Sequence, residues 1–274
     1  MRYGIKALNI LDDHIRYGYY VVSMLALAAY QLLTLETVNQ TIYLLPMVYL
    51  VLMLLVSKLV WGRWRWDEMR PDSLSTQQRI YFARELSLYV IIAVASSIIS
   101  TLLFDVSVTD AVCSSLVIIT LGYFAGVDTT LAASRAWFRQ GVEQNIETFR
   151  LVPTSVTLKR ATLSVLTLIL LFSLSAALKL YVSLALQKGD YQPVVSEFAI
   201  DILFYLGLVS GLMVWAIRGY SRNLHQIIEP QLKVVRDAQA GEFTQAIPIL
   251  SQNELGLLGI QLNRLVEYVH DREK

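Results

Sequence analysis

The stretch LSVLTLILLFSLSAALKLYVSLAL, Leu163–Leu186, carries a single charge, Lys179. A run this long and apolar crosses about 30 Å of hydrocarbon as a helix. Inside a bilayer the backbone must satisfy its own hydrogen bonds, which leaves helices or a closed β-barrel. Barrel strands alternate in polarity over about ten residues, and this run does not alternate. Five further runs behave the same way: Tyr17–Leu35, Ile42–Val60, Leu86–Phe104, Ala111–Ala133 and Phe198–Ile217. The expected fold class is therefore an all-α membrane protein built on a bundle of six transmembrane helices. Composition agrees, because 16% of the residues are charged, against about a quarter in soluble domains.

Lys and Arg accumulate in loops on the cytoplasmic side. Arg2, Lys6 and Arg16 precede the first run. Arg63, Arg65, Arg70, Arg79 and Arg84 fall between the second and third, with Lys58 at the edge of the second, and Arg135, Arg139, Arg150, Lys159 and Arg160 between the fourth and fifth. The opposite side has Lys179 and Lys188. Both termini are expected in the cytoplasm. The outer loops, Glu36–Thr41, Asp105–Asp110 and Gln187–Glu197, are too short to fold as domains. Any external stimulus would have to act on the bundle itself or on a few loop residues.

Two cytoplasmic pieces suit the lipid surface. Trp61, Trp64 and Trp66 stand among arginines directly after a span, where an apolar ring with a polar edge favours the headgroup layer. Near the N-terminus, Ile5, Leu8, Leu11 and Ile15 share one helical face, as in an amphipathic surface helix. No cleavable signal peptide is visible, since the first run is long enough to span and lacks a small-residue exit.

After Ile217 the pattern changes. The expected division is a membrane domain over 1–217 and a second domain over 218–274. Ile228, Leu232 and Val235 form a seam at spacings of four and three, as in a coiled coil. Gly241 is placed to end that helix. A connector follows with apolar Phe243, Ile247 and Ile249, and with Pro248, which breaks helix. A second helix is expected from Glu254, with a seam at Leu255, Leu258, Leu262, Leu265 and Val269. Two short helices joined by an extended connector run parallel and leave their stripes uncovered. Two copies would close a parallel four-helix coiled coil. The piece thus implies a homodimer.

These residues resemble a HAMP domain, the signal relay of bacterial chemoreceptors, histidine kinases and adenylyl cyclases. The resemblance rests on Pro230 in the first helix, Gly241 and Phe243 in GEF, Ile247 and Ile249, and NELGLLGIQLN at Asn253–Asn263. That last stretch matches the family pattern at Glu254, Gly256, Leu258 and Asn263. Asn253 stands where aspartate is usual, and Leu262 where phenylalanine is. Pro230 lies about one turn nearer to Gly241 than the family pattern. Six spans leading into such a relay are similar in layout to the N-terminal half of certain bacterial membrane-bound class III adenylyl cyclases. The resemblance implies a bacterial inner membrane and a downstream output domain or partner, such as an adenylyl cyclase, histidine kinase or diguanylate cyclase.

Other features carry less chemistry. TLGYF at Thr120–Phe124 resembles a potassium filter, but it lies within a continuous run and lacks the final glycine. A filter needs a re-entrant loop. Gly122 and Gly126 suit close helix packing instead. Asp128, Lys179 and Asp201 are intramembrane charges, which are costly unless paired or hydrated. Lys179 and Asp201 sit where they could pair. His14, His225 and His270 are scattered and form no metal set, and Cys113 is the sole cysteine. No nucleotide-binding loop, nucleophile elbow or zinc motif appears, so neither catalysis within this chain nor a cofactor is expected. A net charge of +1 gives no reason to expect nucleic acid.

The expected function is transmembrane signal transduction. The membrane module would detect a small apolar or lipid ligand, or the bilayer itself, and relay a conformational change through the terminal domain. The alternative is a transporter or channel with a cytoplasmic coiled-coil assembly domain. It would predict solute flux abolished by Asp128→Asn, and it leaves the connector pattern unexplained.

Overall fold

A computed structural model describes residues 21–30, 52, 74–104, 106–143, 154–186, 192–240 and 254–273. These residues are helical apart from short connections, and no strand occurs among them. The helices are α1 (Val21–Tyr30), α2 (Leu74–Phe104), α3 (Val108–Glu143), α4 (Thr154–Leu186), α5 (Gln192–Gln239) and α6 (Glu254–Glu273). Four of them, α2 to α5, are long and apolar enough to cross a membrane.

The second expected span, apart from Leu52, lies outside the described residues. So do the tryptophan cluster, the N-terminal amphipathic stretch and the connector from Gly241 to Asn253. Helix α1 represents the middle of the first expected span.

The helices extend past the apolar runs. Arg79 and Arg84, read from sequence as loop residues, lie within α2. The apolar window ends where charges begin, but a backbone ladder continues through residues of good helix propensity. Two outer loops shrink for the same reason. Asp110 belongs to the first turn of α3, and residues 192–197 belong to α5.

Helix α3 is the hub, and its span is the most enclosed of the four. It packs on α2, α4 and α5. The α2–α3 hairpin is close because its facing residues are small. Ser97 and Ser115 share a hydrogen bond across it. Ser97 Oγ also donates to the Ala111 carbonyl (3.1 Å), and Ser115 Oγ to the Ala93 carbonyl (3.1 Å). Gly122 lies directly beneath the Tyr89 ring, and a Cβ at Gly126 would stand 3.0 Å from Phe82 Cδ2. With no apolar solvent force between helices in lipid, such small-residue contacts and hydroxyl bonds are what draw backbones together.

Aromatic residues join α3, α4 and α5 at mid-depth. The Phe172 and Tyr205 rings stack with centroids 3.8 Å apart, and the Tyr205 hydroxyl bonds Thr120 Oγ1 at 2.7 Å. Leucines on the outer faces of α2, α4 and α5, such as Leu102, Leu170 and Leu203, stay exposed. In a helix of this class those faces suit lipid.

Candidate functional site

Helix α5 carries the features of interest. It runs unbroken for 48 residues through Pro230, about 72 Å at 1.5 Å per residue. That is more than twice the ~30 Å hydrocarbon thickness. Its buried positions include Asp201, Tyr205, Val209, Leu212, Gly219, Asn223, Gln231 and Val234. They recur at intervals of three, four, seven and eight, so one face stays covered along most of the rod. Polar residues interrupt this face at each end of the bundle.

The first interruption is an ion cluster. Lys179 on α4 reaches Asp110 on α3 at 2.8 Å and Asp201 on α5 at 3.1 Å. Asp201 is fully buried and Lys179 nearly so, whereas the side chain of Asp110 is 23% exposed. Asp110 is placed by the start of its helix. Its backbone N–H donates to Ser107 Oγ (3.2 Å), and the Ser107 hydroxyl donates to Asp110 Oδ2 (2.6 Å). This is an N-terminal capping arrangement, with the carboxylate at the positive end of the helix dipole. Both oxygens of Asp110 are thus engaged. Asp201 accepts from Lys179 through Oδ2, while its buried Oδ1 makes no well-formed hydrogen bond among the described residues. The Tyr30 hydroxyl from α1 adjoins this carboxylate, and Cys113 and Ser175, 3.5 Å apart, lie next to the cluster.

The second interruption is a clasp near the arginine-rich end of α3. Arg135 Nη1 donates to the side-chain oxygen of Asn223 (3.0 Å) and to the Gly219 carbonyl (3.3 Å). Asn223 Nδ2 in turn donates to the Leu131 carbonyl at 3.2 Å. Gly219 allows this approach. A Cβ there would lie 3.3 Å from Asp128 Oδ1 and 3.4 Å from Leu131 Cδ1. Asp128 is buried at this crossing.

Comparison with protein-family models, with curated proteins and with solved structures finds no match.

The three intramembrane charges expected from sequence are all buried, but they do not form one site. Lys179 and Asp201 pair, and Asp128 stands at the other end of α3. Sequence reading missed Asp110, Arg135, Gly219 and Asn223. A loop assignment hid Asp110, although Ser107 three residues earlier is a capping signal. Nothing local marks Arg135 or Asn223 as partners, because they lie on helices separated by α4.

In the terminal segment α5 ends at Gln239, and the Ala240 N–H turns back to Arg236 O (3.1 Å). Helix α6 begins at Glu254 and lies against α5. Ile228 and Val235 are half-buried, and Leu232 is exposed. On α6, Gly256 and Gly259 are buried, Leu262, Asn263 and Val269 are half-buried, and Leu258 and Leu265 are exposed. Gly241, Phe243, Ile247 and Ile249 lie outside the described residues, as do the side chains of Glu254 and Leu255. Pro230 is half-buried within α5. Among the described residues no group of three or more His, Cys, Asp and Glu side chains is placed to hold a metal.

Proposed function

We propose that this chain is a dimeric transmembrane signal transducer. A six-span module biases a HAMP-type relay in 218–274, with both termini in the cytoplasm of a bacterial inner membrane. One observation carries the reading. Helix α5 is a single rod from the ion cluster at Asp201, past the Arg135 clasp, to Gln239. A rotation, tilt or shift imposed at one end of a continuous helix is delivered at the other. A packed bundle offers discrete arrangements between which a stimulus can choose.

Leu232, Leu258 and Leu265, each from an expected seam, are about half exposed in the single chain. A second copy would cover them in a four-helix coiled coil. Phe243, Ile247 and Ile249 would pin the connector into the grooves, and Glu254 would cap the second helix. Membrane lipids or a small apolar ligand in the bundle are the stimuli this layout favours, and the output belongs to a following domain or a docked partner. Catalysis has no place in this reading of residues 1–274.

The dimer is tested by cysteines introduced singly at Leu258 and Leu265 in a Cys113→Ser background. Oxidation in native membranes should give covalent dimers at both positions, and only monomers at both would refute the coiled coil. The relay is tested with a cyclase domain fused after Lys274 as reporter. Ile247→Asp and Glu254→Ala should lock or uncouple its output while membrane insertion is unchanged. A wild-type response in both variants would overturn the relay.

A further inference from the structure

Among the described residues the ion cluster has a charge imbalance. Two carboxylates, Asp110 and Asp201, meet one ammonium, Lys179. Lys179 is the one cation that the described residues place on them. With all three groups ionised the cluster carries a net charge of −1, among helices whose outer faces suit lipid. An uncompensated buried charge is costly even after the surroundings relax. The cluster therefore has room for one more positive charge.

The geometry says where that charge would sit. Asp110 already has both oxygens engaged, by Ser107 and Lys179, and it stands at a helix N-terminus. Asp201 is fully buried, and its Oδ1 has no cation on it among the described residues, its neighbour being the Tyr30 hydroxyl. The groups facing it are Tyr30 from α1, Asp110 and Cys113 from α3, and Lys179 from α4. Asp110, with its side chain 23% exposed, opens the cluster toward the surface of the bundle.

We propose that this cluster is a proton-binding site, in which Asp201 Oδ1 takes up one proton from the aqueous phase at the Asp110 end of the bundle. The change is carboxylate plus H⁺ to carboxylic acid. No other bond breaks, and the cluster becomes neutral. The neutral acid attracts Lys179 less, which loosens the tie between α4 and α5. The consequence for signalling rests on the transducer reading above and names protons as a stimulus. Proton binding itself does not depend on that reading.

The test is infrared difference spectroscopy of the intact protein in liposomes, titrated from about pH 4 to about pH 9. A protonated-carboxyl C=O band should appear on acidification, vanish in Asp201→Asn and persist in Asp128→Asn, whereas Asp110→Asn, which leaves one carboxylate facing one ammonium, should move its appearance to lower pH. The titration should be the same in sodium and potassium buffers. Tyr30→Phe removes the neighbouring hydroxyl and should shift the band's frequency, which keeps the test open if Asp201→Asn fails to insert. A wild type without the band would overturn the proposal. So would a band that survives Asp201→Asn, one that is indifferent to Tyr30→Phe, or a titration set by the identity of the metal cation. An Asp201 band with an unmoved relay reporter would break the transducer reading and leave the proton site standing.

Discussion

The two ends of α5 are held by opposite means. At the Asp201 end the tie is made of full charges, buried and shared among three helices. At the Asn223 end one arginine bonds a neutral amide and a backbone carbonyl, across a glycine that admits the neighbouring helix. The first arrangement holds while Lys179 faces ionised carboxylates and weakens when one of them is neutralised. The second rests on hydrogen bonds from one guanidinium to an amide and a carbonyl, each worth about 1–3 kcal/mol, beside the buried Asp128. If the hydrogen bonds at Asn223 yield before the ion cluster does, α5 moves more at the Asn223 end, which continues toward α6.

The largest expected effect lies at the ion cluster. Lys179→Met leaves two carboxylates without their cation and should cost about 3–5 kcal/mol of bundle stability. Unfolding in mixed micelles measures it. Lys179→Met combined with Asp201→Asn should recover much of the loss, and a purely additive double variant would show that the pairing is not the source.

Next in size is the α2–α3 contact. Gly122→Ala drives a methyl into Tyr89 and should cost about 1–3 kcal/mol by overpacking. Gly207 and Gly211 on α5 have nothing within 4 Å of an added Cβ. Alanine there should leave the stability of the single bundle unchanged in the same assay. Equal losses at all three glycines would remove the contrast between a packed face and an open one.

A smaller effect is expected at the clasp. Arg135→Gln loses the charged bond to Asn223 and should destabilise by about 1–2 kcal/mol. It should change the mobility of a spin label placed after Asn223 more than that of one near Asp201. A label response of the same size at both sites would mean that α5 is not held more loosely at this end. The smallest is Thr120→Val, which removes the bond to Tyr205. Interhelical hydrogen bonds in membranes contribute about 0.6 kcal/mol on average, so unfolding should shift only slightly while the Phe172–Tyr205 stack persists.

Much of the helical layout was legible in the sequence, for a simple reason. Apolar length is a local property, and the runs starting at Leu86, Ala111, Leu163 and Phe198 all fall within long helices. The end of the helix before Gly241 and the start of the next at Glu254 were legible too, because helix stop and start signals are also local. Exact ends were less so. Charged residues such as Arg79 and Asp110 read as loop by hydropathy, yet they sit in helices, since a backbone ladder does not stop where apolar residues do. The pairing of Lys179 with Asp201 could be guessed from their similar depth. Asp110 could not, once it had been assigned to a loop.

By itself the sequence determined that this chain is helical, that long parts of it are apolar enough to lie in a membrane, and that an amphipathic segment follows. Those properties depend on residue type and on periods of a few residues. Tertiary structure decided that Lys179 serves two aspartates and that Asp128 lies across from Gly219. It also decided that Arg135 bonds a residue 88 positions away. Such choices depend on how each helix is rotated about its axis and which neighbour it meets. That is set by the fit of Gly122 under Tyr89, of Ser97 against Ser115 and of Phe172 on Tyr205, and no local period encodes it.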